Sequence, residues 1–195
     1  MTAYCATGNP GKLREFQLAA QQGGFQVETV PGLADMPPCE ETGATFEANA
    51  ILKAEYYGQR APGLLFADDS GLEVDALGGA PGVYSARFAG PGATDEANNQ
   101  LLLERMRGVR DRSARFVCVI ALVNGGRLME TFRGAVEGQI LEEPRGPHGF
   151  GYDPLFYYPP FGCSFGEAAP ERKLTVSHRG GALRALFRQL SICRV

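Results

Sequence analysis

Thr7-Gly8-Asn9-Pro10-Gly11-Lys12 has the composition of a phosphate-holding turn. A Gly-rich passage from a strand into a helix presents backbone N–H groups and the positive end of the helix dipole. Lys12 adds a full positive charge to the same turn, and that combination suits a phosphate. It is not a Walker A loop, because the spacing is too short and no Ser or Thr follows the lysine. A Gly-Pro-Gly turn that only starts a helix has the same form, so this segment needs company.

Acidic side chains supply some. Glu40 and Glu41 fall in a stretch rich in proline and acid, and Asp68-Asp69-Ser70-Gly71 follows the apolar run Leu64 to Ala67. The run reads as a short strand and the acids as the turn at its end, where loops build sites. Adjacent strand residues face opposite sides, so one aspartate can face a ligand while the other braces the loop. A hard cation such as Mg²⁺ takes one or two carboxylates plus phosphate oxygens and water. A carboxylate close by can also take a proton from attacking water. A plain polar turn is the competing reading.

Of the basic residues Lys12, Lys53, Lys173 and Arg179, the first two lie in separate elements and could converge on one polyphosphate. In Gly149-Phe150-Gly151-Tyr152-Asp153-Pro154 the flanking glycines let a ring approach the backbone, and Phe150 could stack on a base. It could equally be a core residue in a tight turn. Ser177-His178-Arg179-Gly180 puts two donors at a helix start, or caps that helix with exposed charges.

The elements that must position these groups follow from periodicity. Ala3 to Ala6 reads as a strand, and Leu13, Phe16, Ala19 and Ala20 continue at helical spacing until Gly23-Gly24. Phe25 to Val30 is a second strand. Thr45 caps a helix with Phe46, Ala50, Ala54 and Tyr57 on one face, and Asn49 and Lys53 one turn apart. Thr94 to Met106 is a further helix, and Arg115 to Val123 a buried strand. Asn124-Gly125 signals a hairpin into Arg127 to Phe132. Ala135 to Ile140 reads as a separate strand, and Pro144 to Gly166 as a long loop. Ser177 opens a final helix with the stripe Leu183, Leu186, Phe187 and Leu190. The pattern is α/β, a mixed sheet flanked by helices.

Bulk composition bounds the rest. A chain of 195 residues with 44% hydrophobic content suits a single domain over 1–195, with room for two lobes around a cleft. The net charge of −3 argues against a nucleic-acid partner. No apolar run approaches the ~20 residues of a membrane helix, and no secretory signal is visible. Cys5, Cys39, Cys118, Cys163 and Cys193 lack paired metal spacing and read as reduced thiols of a cytoplasmic protein. With two histidines, His148 and His178, a histidine-rich zinc site is not expected. No Gly-x-Gly-x-x-Gly follows a strand, which disfavours a dinucleotide oxidoreductase.

Six blocks together resemble the inosine triphosphate pyrophosphatase family. They are Ala6-Thr7-Gly8-Asn9 with Lys12; Glu41-Thr42-Gly43 through Thr45-Phe46, Asn49-Ala50 and Lys53-Ala54; and Ala67 to Leu72. Pro81 to Arg87, Gly149 to Pro154, and Ser177 to Gly180 with Ala182-Leu183 complete the set, with Lys173 upstream of the last. The first strand is shorter than the family's usual start, and Gly162 to Pro170 departs from its usual run. The resemblance implies a curved mixed sheet, two lobes around a central cleft and a homodimer. It also implies Mg²⁺-dependent hydrolysis of ITP, dITP and XTP to monophosphate and pyrophosphate. On it, Thr7, Gly8, Asn9, Pro10, Gly11, Lys12 and Lys53 hold the triphosphate. Glu41 and Asp69 form the metal site, with Glu40 as the alternative, and Asp69 is the catalytic base. Ser70 contacts substrate, Phe150 stacks on the base within the turn of Gly151 and Tyr152, and Asp153, Lys173, His178 and Arg179 read the base edge. A nucleotide-binding sensor without catalysis and a pyrophosphatase for modified pyrimidine nucleotides are the alternatives.

Overall fold

The computed structural model describes residues 2–192, so Cys193 lies outside the described residues. Seven strands form one mixed sheet in the order β2-β1-β3-β4-β5-β6-β7. They are β1 (Thr2–Cys5), β2 (Gln26–Thr29), β3 (Leu64–Val74), β4 (Ser113–Asn124), β5 (Arg127–Ile140), β6 (Phe156–Tyr158) and β7 (Cys163–Ser164). The helices are α1 (Pro10–Gln22), α2 (Phe46–Gly58), α3 (Asp95–Arg105), α4 (Pro170–Val176) and α5 (His178–Ile192). Strand β1 pairs in parallel with β2 and with β3, whereas β5, β6 and β7 run antiparallel. The expected α/β fold with a mixed sheet and flanking helices is the fold observed.

The chain divides into two compact units, and β3, β4 and β5 contribute residues to both. Unit 1 comprises residues 2–69, 118–134 and 178–192. Its helix α1 starts where Asn9 caps it and packs on β2 and α5. Phe16 meets Phe66 edge-on at 5.1 Å, and Phe25 stacks on Phe187 at 5.0 Å. Unit 2 comprises residues 70–117 and 135–177. Leu72, Val74, Leu102, Met106, Phe116 and Leu155 belong to its core, where the Phe156 ring packs against Phe116 at 4.5 Å and Phe165 at 5.0 Å.

Three expectations about elements need correction, and one helix was not anticipated. Asp68 to Gly71 is not a turn; β3 runs unbroken through it, because both carboxylates have partners that let them stay buried in a strand. Residues 127–132 and 135–140 are not separate strands but one, β5. Gly134, between the two expected strands, is there for space: a Cβ would lie 2.0 Å from the His178 carbonyl oxygen and 2.7 Å from the Ala182 nitrogen. Pro144 to Gly166 is not a featureless loop, since it holds β6, β7 and two single turns of 3-10 helix. Finally, α4 carried too short an apolar pattern to be expected, and Pro170 at its first position starts it.

Candidate functional site

Unit 1 gathers the acids and lysines. Asn9 Oδ1 accepts from the N–H groups of Gly11 (2.8 Å) and Lys12 (3.0 Å), and Thr7 Oγ1 accepts from Asn9 N–H (3.2 Å). Leu13 N–H bonds the Asn9 carbonyl, and Pro10 has no N–H to offer. The expected open row of backbone donors is therefore largely satisfied by Asn9, and the cationic contribution of this turn comes from the Lys12 side chain.

Lys12 Nζ lies 3.0 and 2.9 Å from the two oxygens of Asp68. Arg179 approaches the same carboxylate through Nε (3.4 Å) and Nη2 (3.3 Å), while its Nη1 donates to Glu15 at 2.5 Å. Each guanidinium nitrogen thus already donates to a carboxylate, and Arg179 is only 2% exposed. The reading of His178 and Arg179 as exposed charges on a helix cap is overturned, because both are buried. Burial alone would raise the Asp68 pKa, but Lys12, Arg179 and Lys53 outweigh it and hold the carboxyl below the usual range. Cys118 Sγ sits 3.8 Å from Asp68, and burial with that anion beside it pushes the thiol well up.

Asp69 points the other way along the pleat and meets α2. Asn49 Nδ2 and Lys53 Nζ each reach it at 3.2 Å. The same ammonium lies 3.2 Å from Glu41 Oε2. Glu41 is carried by a segment that Tyr57 and Tyr56 hold against α2, through bonds to Cys39 N–H (3.0 Å) and the Pro37 carbonyl (3.2 Å). At Asp69 burial outweighs the pull of Lys53 and Lys12, so its pKa is raised. Lys53 is shifted upward too: burial works against its charge, and Asp69, Asp68 and Glu41 overcome that. Two neighbouring aspartates thus sit in opposite electrostatic settings, an arrangement that separates a fixed anion from a proton acceptor.

Among the described residues, no group of three or more His, Cys, Asp or Glu side chains converges on a metal position. Glu41 and Asp69 are the pair that suits a hard cation, since both offer carboxylate oxygen and both meet one ammonium. Two carboxylates completed by phosphate oxygens and water is an ordinary Mg²⁺ arrangement. Glu40 precedes Glu41 in the same segment.

Unit 2 holds the aromatic turn. Asp153 Oδ2 accepts from Phe150 N–H at 3.0 Å and from Lys173 Nζ at 2.6 Å. That ammonium lies 5.2 Å from the centre of the Phe150 ring, close enough for a cation–π contact. Lys173 and Asp153 are both buried, and Phe150 is half-buried. Tyr152 donates its hydroxyl to the Ser85 carbonyl at 2.8 Å, and Ser85 Oγ accepts from Leu72 N–H on β3 at 2.9 Å. Ser70 is half-buried on β3.

The sequence-based site residues thus fall in two groups. Thr7 to Lys12, Glu41, Lys53, Asp69, His178 and Arg179 lie in unit 1, and Ser70, Phe150 to Asp153 and Lys173 in unit 2. Glu15, Asp95 and Asn99 escaped notice. Glu15 has one signal, its place one helical turn after Lys12 on α1; Asp95 and Asn99 look like ordinary solvated positions of an amphipathic helix.

A model of the Ham1 family matches residues 3–189. A protein of Acidobacterium capsulatum named dITP/XTP pyrophosphatase is 50% identical over 199 residues, covering 97% of this chain and 98% of its own. One of the same name from Thermus thermophilus is 53% identical over 190 residues, covering 96% of this chain and 90% of its own. Among solved structures, the Staphylococcus aureus Ham1 protein superposes with a TM-score of 0.86 at 40% identity, over 98% of both chains. A HAM1 protein from Coxiella burnetii gives 0.86 at 41% identity, again over 98% of both.

Proposed function

Since the chain belongs to the Ham1 family, we propose that it hydrolyses the non-standard purine nucleotides dITP, ITP and XTP to monophosphate and pyrophosphate. It is a pyrophosphatase of the dITP/XTP type, a house-cleaning hydrolase. The observation in the geometry that carries the mechanism is the divided aspartate pair. Asp68, bound by Lys12 and Arg179, stays ionised and fixes the ammonium of Lys12. Asp69, whose proton affinity is raised, shares Lys53 with Glu41.

In this reading Lys12 and Lys53 take the triphosphate through charge-assisted hydrogen bonds, with Thr7 and Asn9 shaping the turn beside them. Glu41 and Asp69 would hold Mg²⁺, which when bound would neutralise phosphate charge. Asp69 accepts the proton of the attacking water. The α–β phosphoanhydride link breaks, and pyrophosphate leaves with its charge met by the lysines. Phe150 stacks on the purine, and its ring is held by Lys173 and Asp153. Those two residues are buried in each other's company, which favours bracing the turn over reading the base edge directly. Arg179 likewise braces Asp68. His178 as donor to the 6-oxo group, Ser70 as a substrate contact and a homodimeric assembly rest on the family resemblance. Light scattering tests the dimer.

A nucleotide panel with separate detection of phosphate and pyrophosphate, run with and without Mg²⁺, tests the function. The expected result is Mg²⁺-dependent pyrophosphate release, with ITP, dITP and XTP far ahead of ATP in kcat/KM. Release of orthophosphate, or equal turnover of ATP, refutes it.

A further inference from the structure

Gly151 is gripped at both of its backbone polar groups by one helix. Its N–H donates to Asp95 Oδ2 at 2.6 Å, and its carbonyl accepts from Asn99 Nδ2 at 2.9 Å. Asp95 and Asn99 are four residues apart, so they project from one face of α3 one turn apart. Their chemistry is matched to the task. A carboxylate can only accept, and it meets an N–H; an amide can donate, and it meets a carbonyl.

The gripped residue is the one that aims the aromatic ring. Gly151 has φ +61°, in the left-handed region, although a Cβ there would meet nothing within 4 Å. Glycine is therefore required by the path of the chain rather than by crowding. That path reverses between Phe150 and Tyr152, and it lets Phe150 N–H return to Asp153.

Helix α3 is a firm base for such a grip. Leu102 has no exposed surface, and Met106, which ends the helix, has none either. Thr94 caps the start, accepting from Ala97 N–H at 3.2 Å. The neighbouring Asn98 is buried and bonds Ala89 N–H at 2.8 Å and the Ala86 carbonyl at 3.3 Å. By contrast, Asp95 and Asn99 direct their side chains to the Gly151 backbone.

We propose that Asp95 and Asn99 are positioning residues for base recognition, clamping Gly151 so that the Phe150 ring is preset for a purine. This rests on the reading of Phe150 as the base-stacking residue. A preset ring lowers the ordering cost of binding, so loss of the clamp weakens every ligand that carries the base. Ligands that carry only phosphate are unaffected.

The test compares two competitive inhibitors of ITP hydrolysis, IMP and inorganic pyrophosphate, on Asp95→Ala, Asn99→Ala and Phe150→Ala. For Asp95→Ala and Asn99→Ala the Ki of IMP should rise about tenfold, as expected from a lost hydrogen bond to a charged or buried group. The Ki of pyrophosphate should stay within about twofold. Asp95→Asn keeps an acceptor oxygen at the same reach and should restore most of the IMP affinity. Asn99→Asp is isosteric but sets an acceptor against the Gly151 carbonyl, so it should reproduce the loss even where an alanine variant fails to fold. If Phe150→Ala weakens IMP while the Asp95 and Asn99 variants do not, the clamp is refuted and the base-stacking reading stands. If Phe150→Ala leaves IMP unchanged, the base-stacking reading falls and takes the clamp with it. A parallel rise in both Ki values for Asp95→Ala would also refute the clamp, since that is what general loosening of the fold produces.

Discussion

Replacing Gly134 by alanine should destabilise the protein, against the usual direction of that change. Inside a strand, Gly→Ala ordinarily stabilises by about 0.4–1 kcal/mol, because the unfolded chain loses freedom. The backbone at Gly134 is not in the left-handed region, so alanine meets no conformational penalty there. Space decides instead. The added carbon would stand 2.0 Å from the His178 carbonyl oxygen, 2.7 Å from Ala182 N and 3.1 Å from the His178 carbonyl carbon. Non-bonded carbon needs roughly 3.5 Å, so β5 or the start of α5 must retreat by more than an ångström. The opposing atoms are backbone, and α5 is anchored by buried Arg179, Leu183 and Leu186. Overpacking of this kind costs about 1–3 kcal/mol and sometimes more. Allowing for the entropic gain, a net loss of about 2 kcal/mol corresponds to roughly 4–8 °C in Tm for a chain of this size. Thermal and urea unfolding measure it, with Gly63→Ala as the comparison. There the nearest atom is Tyr4 Cε2 at 3.9 Å, an ordinary contact, so stability should hold or rise. A Gly134→Ala protein that melts at or above the wild-type temperature would show that α5 yields freely and that the close approach has no energetic weight.

Asp69→Asn should reduce kcat by about 10²–10⁴ with folding retained; a variant within about threefold of wild type (roughly 0.7 kcal/mol) would remove Asp69 from the role of base. Arg179→Met removes the guanidinium that pairs with Glu15 and one of the two cations on buried Asp68, leaving Lys12 there, and should cost about 3–5 kcal/mol; urea unfolding gives the figure, and a loss below about 1 kcal/mol would mean that the ion pairs are replaceable. Because the folded pKa of Asp68 lies below its ordinary value of 3.8, its ionisation stabilises the protein at neutral pH. That contribution is complete above the ordinary value and is lost as pH falls below it toward the folded one. Melting curves from pH 6 down to pH 2 should therefore fall more steeply for wild type than for Asp68→Asn; equal slopes would contradict the assignment.

The parts of this chain that were legible from sequence are those in which local chemistry and final structure agree. Thr45 caps its helix, the helix expected from Thr94 forms, and the Gly23 stop ends α1. Asn124-Gly125 leads to a tight reversal of two left-handed glycines, and Asn49 and Lys53 share Asp69 because they are one turn apart. What stayed hidden depended on partners distant in sequence. Asp68-Asp69-Ser70-Gly71 has the composition of a turn, and only Lys12, Arg179, Asn49 and Lys53 make it acceptable as strand. The sequence at Gly134 gives no sign that α5 packs against it. Asp95 and Asn99 carry no sequence signal, since their work is done on a backbone more than fifty residues away.

The bond from Arg179 to Asp68 spans 111 positions of the chain, whereas Lys12 lies 56 positions before the same aspartate. Vectorial synthesis therefore meets these partners in a fixed order. A ribosome adding about 5–20 residues per second needs roughly 6–22 s to get from Asp68 to Arg179. Throughout that interval β1, α1, α2 and the first half of β3 already exist, and Asp68 has one of its two cations. Glu15 waits longer still for the guanidinium it will share. The nascent amino-terminal segment thus carries excess negative charge at what will become the interior of unit 1, which opposes premature closure. Arrival of α5 neutralises that charge and completes the unit in one step. A chain halted before residue 179 would lack the second cation of Asp68 and the guanidinium that pairs with Glu15, so both carboxylates would have less compensation for burial.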